Sequence, residues 1–191
     1  HLLQYEPHRQ TQEFFKAANA FYLEQPALWE QDDSWQGFQW LCADDHTANT
    51  VAFLRWDREG RPLIVVCNFS PIHRKGYYVG APFSGAWAPV LNTDAAEFGG
   101  SGLGDTAPIK TISTPCHDQE QALSIDLPPM SVMVYRCIRR SPVRKKKAGE
   151  KAPEKKSFPK TGAGKTASAK TAARRSKAAA RPGRKPKTDQ A

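Results

Sequence analysis

The chain has 191 residues, and its net charge of +9 is the resultant of two unlike parts. Residues 1–138 carry nine Lys and Arg against 16 Asp and Glu, net −7, whereas residues 139–191 carry 19 against three, net +16. All five Trp, all five Tyr and eight of the nine Phe precede residue 139, so only the first part can bury a core and a uniformly basic single domain is excluded.

No apolar run approaches the roughly 20 residues of a membrane span. No basic-then-apolar leader opens the chain either, so a cytoplasmic location and no membrane partner are expected. His1 stands where an initiator would, which sets the expectation that the chain begins mid-protein or after processing. Cys42, Cys67, Cys116 and Cys137 are separated by 25, 49 and 21 residues. Zinc ligands usually come in close pairs, so these four are expected as buried, reduced thiols, three of them in strands, and neither metal nor cofactor is expected.

The first element is a helix over His8–Leu23. Phe14, Ala18, Phe21 and Tyr22 recur at i, i+4, i+7 and i+8, a wide apolar face. Pro7 suits the entry, and Pro26 disfavours helix at Gln25. That apolar face needs a partner, supplied by the strands that follow or by a body of protein on its N-terminal side. From Phe38 the periodicity becomes strand-like, with Phe38–Leu41, a polar turn Asp44–Asn49, Thr50–Trp56, a turn Asp57–Pro62 and then Leu63–Phe69 reading as a meander. Leu63–Phe69 lacks polar alternation until Asn68, as a central strand covered on both faces would. Gly76–Gly80, Trp87–Leu91, Ile109–Ile112, Ala122–Leu127 and Ser131–Ile138 complete eight short strands between turn residues. Pro128 and Pro129 mark a corner before a terminal strand that closes the sheet. The expected fold class is all-β: an antiparallel Greek-key sandwich preceded by one helix. Residues 139–191 are too poor in large apolar side chains to offset the entropy of folding and are expected to form a disordered, low-complexity basic tail.

Chemistry is sparse. Asp32-Asp33 and Asp44-Asp45 are adjacent loop pairs that read as solvated, not catalytic. The five histidines show no HxH or HExxH spacing, and no Ser sits in GxSxG. Gly162–Thr166 resembles the end of a phosphate-binding loop, but Pro159 holds the position that needs glycine and no strand precedes it. Lys145, Lys146, Lys147, Arg174, Arg175, Arg184 and Lys185 form a polycation suited to a non-specific polyanion partner. Trp56 and Trp87, inside strands, read as core, whereas Trp40, Trp35 and Trp29 lie in or beside loops, where an indole face can stack on a sugar ring.

Seven motifs occur in register along residues 2–138: Pro26-Ala27-Leu28-Trp29, Gly37-Phe38-Gln39-Trp40, Asn68-Phe69-Ser70-Pro71, Tyr77–Pro82, Leu91-Asn92-Thr93-Asp94, Gly99-Gly100-Ser101-Gly102 and Leu127-Pro128-Pro129. Together they resemble the C-terminal end of bacterial 1,4-α-glucan branching enzymes, of the glycoside hydrolase family 13 type. The resemblance implies that residues 1–25 hold the last helix of a (β/α)₈ catalytic barrel, that residues 26–138 form the C-terminal β-sandwich, and that residues 139–191 depart from the family. It implies a parent enzyme of glycogen synthesis that moves a cut α-1,4 chain to an α-1,6 position through the retaining two-carboxylate scheme. Nothing in this chain matches the barrel motifs that carry those carboxylates, so no catalytic residue is expected here. The implied partners are α-glucan and the chain's own barrel, with Trp40 first among the sugar platforms, then Trp35 and Trp29. Two other readings are a free-standing glycogen- or starch-binding sandwich and a polyanion-binding protein acting through the tail, and other family-13 glycosidases share the barrel-plus-sandwich plan. The Asn92–Gly102 loop reads as a structural loop of the sandwich.

Overall fold

The computed structural model describes residues 1–141; most of the expected tail, with Lys145, Lys146, Lys147, Arg174, Arg175, Arg184, Lys185 and the Gly162–Thr166 motif, lies outside them. A helix, α1 (Glu6–Glu24), is followed by eight strands: β1 (Phe38–Asp45), β2 (Thr50–Trp56), β3 (Pro62–Asn68), β4 (Arg74–Ala81), β5 (Gly85–Asn92), β6 (Ile109–Lys110), β7 (Gln121–Leu127) and β8 (Ser131–Arg140). Pro7 occupies the first turn of α1, where its missing N–H costs nothing, and Glu6 faces the positive end of the helix dipole. The helix stops where Gln25 is extended ahead of Pro26.

All strand pairs are antiparallel, and they form two sheets: β1-β2-β3-β8-β5-β6 and β4-β7. β1, β2 and β3 are the expected meander. Asp57 builds the β2–β3 turn: its buried carboxylate accepts the N–H groups of Glu59 and Arg61 at 3.0 and 2.8 Å and the Arg61 Nε–H at 2.6 Å. The terminal strand does not close an edge; β8 runs between β3 and β5, in the middle of the large sheet. It also continues two residues past Ile138, because Arg139 and Arg140 still pair with Ala86 and Gly85 and the Arg140 guanidinium lies over the Phe83 ring, 3.7 Å from its centre. Ile109–Ile112 shrinks to two residues in β6. Ile112 bridges instead to Ala122 of the small sheet, so this segment passes between the sheets.

β3 is buried almost throughout, as its unbroken apolar run requires. Ile64 and Val66 face the small sheet and join Leu54, Trp87, Met133 and Tyr135 against Val79, Leu123, Ile125 and Leu127. Leu63 and Val65 face the other way and pack with Val134, Ala27 and Phe21 of α1. The described residues are therefore layered: helix, large sheet, small sheet. Each fully buried aliphatic side chain in these layers contributes about 1.5–3 kcal/mol.

Polar ties fix the layers. The buried Asn68 donates to the carbonyls of Ile72 (3.0 Å) and Pro128 (2.7 Å) and accepts from the Ser70 N–H (3.0 Å), linking the end of β3 to the proline corner before β8. Tyr135 donates to Asp105 at 2.8 Å, and the same carboxylate oxygen accepts the Asp126 N–H. Burial, first, and then hydrogen bonding to Asp105 push the Tyr135 hydroxyl far above the usual tyrosine range, so it stays a donor.

The Asn92–Gly102 loop folds around Asp94, whose carboxylate accepts the Ser101 N–H at 3.0 Å and the Ser101 hydroxyl. Its tip carries Phe98, which meets Phe14 of α1 edge-on at 5.4 Å. The loop is thus structural, as its turn residues suggest, and in addition it clasps α1 to the large sheet. Of the four residues expected on the apolar face of α1, Phe14, Ala18 and Phe21 are half-buried, while Tyr22 is exposed, turned past the edge of the contact. A Cβ on Gly100 would run into the backbone of Asp94. Gly100→Ala should cost about 1–3 kcal/mol, read as a lower midpoint in thermal unfolding followed by circular dichroism; an unchanged midpoint would show that the loop's close turn is not needed.

Candidate functional site

Arg55 of β2 sets the aromatic residues before β1. Its Nε donates to Ala27 O (3.2 Å) and its Nη2 to Leu28 O (3.0 Å) and to the Asp32 carboxylate (2.7 Å), fastening the segment that carries Trp29 beside the large sheet. Asp32 is accordingly an ion-pair partner of Arg55. Trp29 ends a 3-10 turn and is 43% exposed; Trp35, in a second such turn, is 92% exposed. Trp40 lies within β1 and not beside a loop, yet it is 55% exposed because β1 is an edge strand. Its ring stands edge-on to Phe38 (centres 4.9 Å apart) and to Phe53 (5.9 Å). Phe53 also belongs to the outer core, so the Trp40 indole is buttressed from beneath. Among the described residues no ring contact joins Trp29 or Trp35 to Trp40.

The two tryptophans read as core are unequal. Trp87 is fully buried and donates from its indole N–H to Phe83 O at 3.3 Å. Trp56 is half-buried and meets Phe83 edge-on at 5.9 Å. The cysteines depart from expectation: Cys42, Cys67 and Cys137 do lie in strands, but all four residues are half-buried, Cys42 and Cys137 at the margin of the core between the sheets, Cys67 on the outer face of the large sheet and Cys116 in a loop. Burial raises the thiols of Cys67, Cys116 and Cys137, which disfavours the nucleophilic thiolate at those three. Among the described residues no three His, Cys, Asp or Glu side chains gather as a metal site, and no helix is long and apolar enough to cross a membrane.

A second aromatic surface was not legible in the sequence. Tyr77 and Tyr78 of β4 line an open cleft of about 550 Å³ with His73, Arg74, Lys75 and His117. Tyr77 turns inward; its hydroxyl lies 2.8 Å from Thr50 Oγ1 and donates to Asp45 Oδ2 at 3.0 Å, tying the small sheet to the β1–β2 turn. These partners are 27 and 32 residues away, which no local pattern announces. Burial, chiefly, raises the Tyr77 hydroxyl beyond the ordinary tyrosine range. Burial likewise lowers the His117 imidazole, against the opposing pull of Asp45 and Asp118. Asp45 is different. Its burial works to raise the carboxyl, but hydrogen bonds from the Ala48 N–H, Tyr77 and Thr50, with the Arg74 charge, outweigh that and hold it below the usual carboxylate value.

A carboxyl whose folded value is depressed adds stability above its unfolded value and loses it as pH falls through the folded one. Wild type should therefore lose stability below about pH 4, and Asp45→Asn should flatten that part of the profile while lowering stability at neutral pH. Urea midpoints measured between acid and neutral pH check this; an acid limb identical in both proteins would remove Asp45 as its source.

The family described as alpha amylase, C-terminal all-beta domain, matches residues 40–138. Among curated proteins, the chain is 43% identical over 136 residues to the 1,4-alpha-glucan branching enzyme GlgB of Pseudomonas fluorescens (strain Pf0-1), covering 71% of this chain and 18% of that protein. It is 42% identical over 134 residues to the protein of the same name from Aquifex aeolicus, covering 70% and 21%. To that of Thermosynechococcus vestitus it is 38% identical over 144 residues, covering 75% and 19%. The chain thus spans about a fifth of the length of the curated relatives it matches.

Proposed function

The chain belongs to the alpha amylase C-terminal all-beta domain family, and on that premise we propose that it is the C-terminal part of a 1,4-α-glucan branching enzyme working in the cytoplasm on glycogen. In this reading residues 1–25 supply the last helix of the catalytic barrel, residues 26–138 form the supporting sandwich, and the barrel performs the hexosyl transfer. The observation that carries the reading is the state of α1. One side packs on the large sheet and the Phe98 loop, and no residue of the helix is fully buried. Its other apolar residues, Tyr5 just before it and Phe15, Tyr22 and Leu23 within it, stand in solvent. A helix apolar on two sides is a helix between two bodies. The sandwich covers one side, and the barrel of the longer relatives is the body that would cover the other. In each adjacent aspartate pair one member is engaged within the fold, Asp32 with Arg55 and Asp45 with Tyr77.

The sandwich also contributes a glucan contact through Trp40, with Trp35 and Trp29 as further platforms. A buttressed, exposed indole presents a flat apolar face to the C–H side of a glucose ring.

Grafting tests the reading directly. A chimera in which residues 2–138 replace the matching C-terminal segment of the Pseudomonas fluorescens relative should be soluble and should lower the iodine absorbance of amylose, while the 191-residue chain alone leaves it unchanged. An insoluble or inactive chimera would count against it. Trp40→Ala in that chimera should raise the glycogen concentration at half-maximal rate about three- to tenfold with kcat little changed; equal loss in both parameters would argue for damage to the barrel instead.

A further inference from the structure

The cleft on β4 has the composition of a carbohydrate site. Tyr77 and Val79 point into the core, so Tyr78 between them points outward, and it is 51% exposed. It stands opposite Ser124 of β7. Gly76, at φ +66°, leaves the adjacent stretch of sheet bare; even an added Cβ would only reach van der Waals contact with Ser124 Oγ at 3.6 Å. The floor beside the Tyr78 ring is therefore backbone and hydroxyl. Polar groups surround it. The His73 imidazole pairs with Asp126 at 2.5 Å, and Lys75 is exposed. Arg74 donates one N–H to Ala48 O, but its Nε is buried without a hydrogen-bond partner among the described residues. His117 accepts the Gly80 N–H on Nδ1 at 3.3 Å.

An exposed ring flanked by both donors and acceptors suits a neutral polyhydroxylated ligand: the ring covers a C–H face and the side chains bond the hydroxyls. The carboxylates of Asp45 and Asp126 oppose a polyanion, and Arg74 and Lys75 oppose a polycation. Position matters too. The small sheet lies on the face of the large sheet opposite α1, so a barrel docked on α1 leaves the cleft open.

We propose that the cleft of Tyr78, Lys75, His73 and His117 binds a segment of α-1,4-glucan, as a second contact separate from Trp40. The proposal rests on the α-glucan reading above. A polymer long enough to reach both contacts is held better than either alone would hold it, because the second then binds at the effective concentration set by the first.

Two measurements on the full chain test it. In a titration with maltoheptaose followed by the imidazole resonances of His73 and His117, both should shift saturably. Tyr78→Ala should weaken the midpoint about three- to tenfold, and Tyr78→Phe, which keeps the ring, should leave it near wild type. In affinity electrophoresis through glycogen, Trp40→Ala and Tyr78→Ala should each reduce retardation, and the double variant should reduce it more than either. If the imidazoles stay still while Trp40→Ala alone abolishes retardation, the cleft site is wrong and the α-glucan reading stands. If wild type migrates unretarded and no resonance moves, both fall.

Discussion

Burial on both faces of β3 and of the first half of β8, residues 131–135, is the constraint on which the other elements depend. These strands pair along their length, from Leu63 with Arg136 to Asn68 with Ser131, and their alternate side chains enter two different cores. Ile64, Val66, Met133 and Tyr135 face the small sheet, while Leu63, Val65 and Val134 face α1. A shift of one residue would exchange the two sets and empty both cores at once. Asn68 pins this register from the end, since its side chain bridges β3 to the Pro128 carbonyl just before β8 begins. The late strand must therefore thread between early ones, and the two-sheet, crossed topology follows from that insertion.

The polar groups of the domain serve this arrangement before anything else. Asp57 shapes a turn, Asp94 a loop, Asp105 anchors Tyr135, and Asp45 joins the two sheets through Tyr77. A carboxylate that already accepts several hydrogen bonds is fixed in place by them. What remains for ligands is surface: the buttressed indole of Trp40 at one sheet edge, the Tyr78 cleft on the small sheet, and the uncovered side of α1. Trp40 and α1 share the outer face of the large sheet, whereas Tyr78 lies on the outward face of the small sheet.

Much of this was legible from sequence because the signals were local. The eight strands, the β1–β3 meander, the α1 boundary at Pro26 and the core position of Trp87 follow from periodicity and from residues with restricted backbones, and register-matched motifs point to the family. Strand ends moved where a distant partner extended them, as Arg139 and Arg140 show by pairing with β5. The apolar face of the helix is covered in part: Phe14, Ala18 and Phe21 are half-buried and Tyr22 stands beyond the edge of that contact. Tertiary structure alone decided that β8 sits inside the sheet, that the glycine-rich loop reaches α1 through Phe98, and that Tyr78 stands clear beside His73 and His117. Residues 73, 78 and 117 meet only because β4 and the loop before β7 are brought to one face by pairing across dozens of residues. Sequence determines which segments are strands and which side chains can stack or ionise. Which of them share a surface depends on long-range pairing, and that is settled by how two cores are filled at once.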